Sequence, residues 1–354
     1  MSEEEVECAE EALNYDFDFE LFESEEDVVN LDDPVVPFLH HFKYPLGLKS
    51  DLLVEGEILD NADRFNIDLC QSTDSGKNVA LHFSVRLNLN YVARNTLLKG
   101  LWGPEEGYSM GKIPFKKGER FIIEIFLIKE HFLISVNSTH FCRYVHRVPP
   151  LYIDSLEIYG DVKLRRVELS KRDVYPTILS FHDYNLLGTH LRNSTNTAWL
   201  TPLNYKFEDI LSPGWKIVIN GRVKLLPHRI NFNLQSGPHV YPSPLVGLHL
   251  SVRWNGKGDD TIVFNTKDEN WNQEIVTPME LLFCPGRKFE LQISIKSEYF
   301  KLKVDSTPLP FYPCRLTSKY VPVLNFLNTL YIEGDAEIFN IKSVRPEHNG
   351  QQFL

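Results

Sequence analysis

Residues 52–69, LLVEGEILDNADRFNIDL, alternate apolar and polar positions, with turn signals at Gly56 and Asn61. Alternation of period two is the mark of a half-buried strand, so the segment reads as strand, turn, strand. The pairs FIIEIFLI (121–128) with HFLISVN (131–137), and FELQISI (289–295) with YFKLKVD (299–305), read as hairpins. In HFSVR, residues 82–86, the same geometry puts His82, Ser84 and Arg86 on one face and Phe83 and Val85 on the other. Persistent helical periodicity is absent. Many short alternating strands broken by Gly, Pro, Asn and Asp predict an all-β chain of antiparallel sandwich or jelly-roll form.

The pattern occurs twice. HFSVR returns as HLSVR at 249–253, and 52–69 is answered by KIVINGRVKLLPHRINFNL at 216–234. Gly56, Arg64 and Asn66 correspond to Gly221, Arg229 and Asn231. His82 and Arg86 correspond to His249 and Arg253, Asn95 to Asn265, Trp102 to Trp271, Glu105 to Glu274 and Gly118 to Gly286. The offset drifts only between 165 and 170 residues. A period this long describes two whole domains rather than a solenoid of small units. The division is an acidic tail at 1–33, a first domain at 34–170, a linker at 171–200, a second domain at 201–346 and a C-terminal tail at 347–354. The linker's apolar residues (Ile178, Leu179, Phe181, Leu186, Leu187) suggest packing on a domain rather than free chain.

Charge changes this picture at one end. The net charge of −11 is concentrated in residues 1–33, which hold 15 acids and no Lys or Arg, whereas the rest carries 33 acids against 37 bases. A terminal block of like charge is expected to stay disordered and solvated. The aromatics interleaved with acids in NYDFDFELF (14–22) also suit a protein partner, the segment folding as it docks. The body has no long basic stripe, so nucleic acid is not an expected partner. No apolar run reaches about 18 residues, so no membrane insertion is expected. The N-terminus has no basic and apolar leader pattern. Five cysteines without CxxC spacing fit a reduced, cytoplasmic chain better than a disulfide framework or a metal site. No cofactor is expected.

The candidate chemistry lies in the repeated polar set: His82, Ser84, Arg86, Asn95, Trp102 and Glu105, then His249, Ser251, Arg253, Asn265, Trp271 and Glu274. Fixed donors and acceptors beside one large aromatic suit a sugar, whose hydroxyls need directional partners and whose C–H face stacks on an indole. Arg offers a rigid fork of donors that Glu can orient. Each residue also has an ordinary reading: a structural strand histidine, a surface ion pair, a core tryptophan. Trp102 in KGLWGPEEG and Trp271 in KDENWNQE sit in turn-rich, polar settings, unlike buried strand positions. Catalysis is not expected. Glycosidases need two carboxyls flanking a bond, about 5–9.5 Å apart, while Glu105 and Glu106 are neighbours on an extended chain and would face opposite ways. Gln273 precedes Glu274, so that pair does not recur.

The segments HFSVR, ARN and WGPEEG, and HLSVR, VFN and WNQEIV, resemble the galectin pattern HxNxR, VxN, WGxExR. The resemblance covers residues 36–346, with GKNVALHFSVR, FKKGERF, YVHRVPPLYIDSLEIYGDV and LNTLYIEGDAEI as further support, and it is to the two-domain, tandem-repeat galectins. It implies galectin-like carbohydrate-recognition domains. In them His82, Arg86, Asn95 and their counterparts would meet galactose hydroxyls, Trp102 and Trp271 would stack on the ring, and Glu105 and Glu274 would hold the arginines and reach the adjoining sugar. The chain departs from the pattern at the middle Asn of HxNxR, here Ser84 and Ser251. It departs also at the last Arg of WGxExR, here Gly107 and Val276, and Ala93 replaces the Val of VxN. Arg86 to Asn95 spans nine residues and Arg253 to Asn265 twelve, so the two sites should differ in preference. The implied function is a bivalent lectin that cross-links β-galactoside glycans on glycoproteins or glycolipids. The family precedent implies cytoplasmic synthesis and non-classical secretion. The alternative is a scaffold with one or both sugar sites degenerate, working through its acidic tail.

Overall fold

The computed structural model describes residues 28–74, 76–108, 113–177, 198–199, 201–207, 211–256, 258–316 and 326–345. Among them there is no α-helix. The first domain comprises β1 (Val29–Asp32), β2 (Phe38–His41), β3 (Ser50–Ile58), β4 (Arg64–Thr73), β5 (Gly76–Arg86), β6 (Tyr91–Leu98), β7 (Leu101–Trp102), β8 (Glu106–Tyr108), β9 (Arg120–Leu127), β10 (His131–Val136), β11 (Thr139–Val145), β12 (Ser155–Gly160) and β13 (Val162–Lys171). One sheet runs β1-β13-β3-β9-β10-β11. The other runs β2-β12-β4-β5-β6-β7, with β8 also on β6. All pairings are antiparallel. Val54, Ile58, Phe121, Ile123 and Ile125 of one sheet share a core with Phe65, Ile67, Leu69, Leu81, Phe83 and Val85 of the other. The predicted hairpin at 121–137 is β9–β10, with Phe132 opposite Leu127.

The second domain repeats the plan with β14 (Leu203–Lys206), β15 (Lys216–Val223), β16 (Arg229–Gln235), β17 (Val246–Arg253), β18 (Thr261–Lys267), β19 (Ile275–Pro278), β20 (Lys288–Ile295), β21 (Tyr299–Val304), β22 (Thr307–Pro308), β23 (Tyr312–Pro313), β24 (Thr329–Gly334) and β25 (Ala336–Val344). Its sheets run β14-β24-β16-β17-β18-β19 and β22-β21-β20-β15-β25, with β23 also on β21. Its own core joins Ile217, Ile219, Leu291 and Ile293 to Phe232, Leu250, Val252 and Phe264.

The repeated glycines are explained differently from one another. Gly56 is not at a turn: it lies inside β3, opposite Phe121 and Leu164. A Cβ there would fall 2.7 Å from the Phe121 ring, and one on Gly221 would fall 2.6 Å from the Phe289 ring. The glycine makes room for a core aromatic in both copies. Gly118 and Gly286 are turn residues, at φ of +73° and +74°, a region that glycine enters without a Cβ penalty. The strand–turn–strand at 52–69 is also not a hairpin. β3 and β4 lie in opposite sheets, as do β15 and β16.

The domain edges extend beyond those expected. Val29–Asp32, assigned to the acidic tail, forms a strand on β13, with Val29 buried and Asn30 and Asp32 outside. Four residues that alternate apolar and polar are hidden by the charge around them. The rest of the tail, 1–27, lies outside the described residues. The linker begins inside the first domain: Tyr175 is fully buried, stacks on Phe126 and bonds His140 Nδ1 at 2.8 Å. Thr177 N–H donates to both Glu124 oxygens, at 2.9 and 3.0 Å. At its other end Trp199 pairs with Ile338 of the second domain. The apolar linker residues named above, and the C-terminal tail, lie outside the described residues.

Candidate functional site

In the first domain β4, β5 and β6 lie side by side with Asn66 opposite Ser84, Asp68 opposite His82, Ser84 opposite Ala93 and His82 opposite Asn95. Their alternate residues enter the core, so one register delivers His82, Ser84, Arg86 and Asn95 to the outer face together. His82 Nδ1 lies 2.6 Å from Asp68 Oδ1, and Tyr159 OH donates to the other Asp68 oxygen at 3.1 Å. A carboxylate only accepts, so Nδ1 carries a hydrogen and Nε2 is the ring nitrogen that this bond leaves for a ligand. The His82 and Trp102 rings lie 4.9 Å apart, tilted. Trp102 is 52% exposed; it is not a core residue. Arg86 grips Glu105 with both terminal nitrogens, at 3.2 and 2.7 Å, and that bond holds the Glu105 carboxyl below its ordinary range.

The second domain builds the same face from β16, β17 and β18. His249 Nδ1 meets Asn233 Oδ1 at 2.6 Å, and the His249 and Trp271 rings are 4.8 Å apart. Trp271 is 48% exposed. Arg253 holds Glu274 at 3.1 and 2.6 Å, which again lowers the carboxyl. Here the histidine rests on an amide instead of a carboxylate. Burial, then the charges of Arg253 and Arg229, pull His249 down to about 4.

The remaining expected residues are present but placed differently. Ser84 and Ser251 are fully buried. Ser251 Oγ accepts from Arg253 Nε at 3.2 Å. Asn95 and Asn265 face the site with their amides turned to the chain. Asn95 Nδ2 donates to Gly103 O at 2.9 Å and its oxygen accepts from Thr96 N–H at 2.8 Å. Asn265 accepts from Thr266 N–H at 2.8 Å. Asn95 thus positions the loop that carries Trp102. Glu106 leaves Glu105 for the other side of the strand, accepting from Arg147 at 2.7 Å and lying 3.7 Å from Arg94.

A family model described as "Galactoside-binding lectin" matches this chain twice, over residues 37–169 and 202–343. The chain belongs to the galectins. Both matches coincide with the two sandwiches, so it is a tandem-repeat galectin. It is 26% identical to Galectin-8 of Rattus norvegicus over 322 residues, covering 88% of this chain and 96% of that protein. It is 30% identical to Galectin-4 of Rattus norvegicus over 284 residues, covering 76% and 85%. It is 28% identical to the 32 kDa beta-galactoside-binding lectin of Haemonchus contortus over 327 residues, covering 87% and 99%.

Within this galectin, sequence reasoning missed a second set of site residues that stand behind the tryptophan loops. Thr96 Oγ bonds Tyr144 OH at 2.7 Å, and Arg147 lies over the Tyr144 ring, donating to Pro104 O at 2.8 Å. In the second domain Thr266 bonds Tyr312 OH at 2.8 Å, and Arg315, over the Tyr312 ring, donates to Gln273 O at 2.7 Å. These pairs, and Asp68 with Asn233, are separated by 165–170 residues, the repeat's own offset. Residue-by-residue comparison of the two copies would have found them. Arg94 and Glu106 would not have been found that way. Their register partners in the second domain are Phe264 and Ile275, an apolar pair where the first domain has a charged one.

Proposed function

We propose that this galectin binds β-galactosides through both domains and cross-links galactose-containing glycans. The observation that carries the reading is one constellation built twice: an exposed tryptophan packed on a histidine, beside a bidentate Arg–Glu pair, on one sheet face. The indole offers a flat apolar surface to the C–H face of a pyranose. The histidine, with Nδ1–H committed to Asp68 or Asn233, offers Nε2 as an acceptor for a hydroxyl proton. The arginine, oriented by its glutamate, offers donors in a fixed plane. The set reads a ring that has an apolar face and a hydroxyl standing off it.

Each such site is shallow and binds weakly, since every sugar hydroxyl must be desolvated. Two sites on one chain make the second binding event intramolecular, which raises avidity about 10²–10⁴-fold where geometry allows. We infer that the chain is made in a reducing compartment, the cytoplasm, and meets its glycans after release outside the classical secretory route. The reading rests on the cysteine pattern, five residues without CxxC spacing, which suits a reducing compartment. Asn137 and Asn193 each open an Asn-Ser-Thr glycosylation triplet, and a glycan found on either in the native protein would refute it.

The test is calorimetric titration of a galactoside series into the wild type, Trp102→Ala and Trp271→Ala. The expected result is two sites in the wild type, each substitution removing one. No binding to the folded wild type would reject the lectin reading and leave a protein-binding scaffold. Loss with Trp102→Ala alone would restrict sugar binding to the first domain.

A further inference from the structure

The two sites differ at the edge beyond the Arg–Glu pair. In the first domain Tyr91 opens β6 directly opposite Arg86. Its hydroxyl donates to Glu105 Oε1 at 3.2 Å, and the Arg86 guanidinium lies 5.6 Å from its ring centroid. Residue 107, one strand over on β8, is a glycine, and a Cβ there would fall 1.8 Å from the Tyr91 hydroxyl oxygen. No side chain at 107 is compatible with the tyrosine where it stands. In the second domain the residue opposite Arg253 is Thr261, and the residue in the register of Gly107 is Val276, more than half exposed. The aromatic ring and the glycine are present together in one copy and absent together in the other.

We propose that Tyr91 is a specificity-determining residue of the first site: an aromatic wall that selects what is linked to the galactose. The inference rests on the galactoside reading above. Asn95, opposite His82, and Tyr91 are four residues apart on β6, about 13 Å of strand at about 3.3 Å per residue. That is more than one pyranose covers. A ring placed over Trp102 and His82 therefore leaves room before Tyr91 for the group on its β-linkage, which Arg86, Glu105 and the phenol ring border. The phenol hydroxyl is engaged by Glu105, so what the wall shows an incoming group is its ring. The selected class is β-galactosides whose aglycone or second sugar presents a flat, apolar face. Thr261 and Val276 give the second site no such wall.

The experiment uses full-length Trp271→Ala protein, whose first site is intact, titrated with methyl β-galactoside, phenyl β-galactoside and lactose. Phenyl β-galactoside and lactose should bind more tightly than the methyl glycoside. Tyr91→Thr should weaken those two about five- to tenfold, the scale of one aromatic contact, and leave the methyl glycoside within about twofold. Tyr91→Phe, which folds with the ring in place, should keep the phenyl preference. Gly107→Ala should reproduce the Tyr91→Thr loss in the Tyr91 background and have no effect in the Tyr91→Thr background. Equal loss for all three sugars, or none for any, overturns the proposal. If the Trp271→Ala protein binds no sugar while the wild type does, the proposal fails and the lectin reading survives in the second domain. If the wild type binds none, both fail.

Discussion

Arg94 is a buried arginine on the core side of β6, with its side chain 9% exposed. Among the described residues its Nε and Nη1 have no hydrogen-bond partner, and Glu106, at 3.7 Å, is its ion-pair partner. The second domain fills the same two positions with Phe264 and Ile275, and Phe264 stacks on Tyr312 with ring centroids 5.6 Å apart. Tyr144 stands where Tyr312 does. Glu106→Ile should therefore strand a buried guanidinium, while Arg94→Phe with Glu106→Ile should install the apolar solution. Breaking a buried pair from one side costs about 3–5 kcal/mol. The 3.7 Å separation and the partial exposure of Glu106 reduce this to about 2–3 kcal/mol for Glu106→Ile. Arg94→Phe alone should cost about 1 kcal/mol, since Glu106 keeps its bond to Arg147. The double variant should return to within about 1 kcal/mol of wild type, a coupling of about 2 kcal/mol. The assay is hydrogen exchange read by peptide mass spectrometry in the full chain, which follows each domain separately. At about 1.4 kcal/mol per factor of ten, Glu106→Ile should speed the slowest first-domain amides about 30- to 150-fold and leave second-domain peptides unchanged. A silent Glu106→Ile, or a double variant as unstable as the single, would refute the argument that the charged pair and the apolar pair are interchangeable solutions.

Ser84→Asn should lengthen a fully buried hydroxyl into an amide that reaches the surface, tightening first-site galactoside binding by about 3- to 10-fold, one net hydrogen bond; unchanged calorimetric affinity would mean the amide finds no sugar. His249 should make the second domain acid-sensitive. Its folded value near 4 lies below the ordinary 6.5, so the unfolded chain takes up the proton first. Stability is present above about pH 6.5 and falls as pH drops towards 4, by up to about 3 kcal/mol, and His249→Gln should flatten the pH profile of urea melts. Arg147→Ala should free the loop that Pro104 and Asn95 help to hold, costing about tenfold in first-site affinity, on the scale of a charge-assisted bond, without affecting the second site; an equal loss at both sites would point to a global effect.

The period-two alternation, the offset of 165–170 residues and the exposed settings of Trp102 and Trp271 were enough to establish two antiparallel sandwiches, each with a polar site on one face. They suffice because a strand's side-chain period is local: which of His82, Phe83, Ser84, Val85 and Arg86 share a face follows from the chain alone. Partnership is not local. β3 and β4 are adjacent in sequence with a turn between them, yet they belong to opposite sheets, because their apolar faces must meet across a core. The strand Val29–Asp32 is too short and too acidic in its surroundings to announce itself, and it exists because β13 offers it an edge. The burial of Ser84 and the turning of Asn95 towards its own loop depend on neighbours from other strands. So does the fit of the Tyr91 hydroxyl into the space that a Cβ at residue 107 would occupy, a contact between residues sixteen apart that no periodicity encodes. Composition and alternation decided which residues could face a ligand; packing between neighbouring strands and loops decided which of them remain free to touch one.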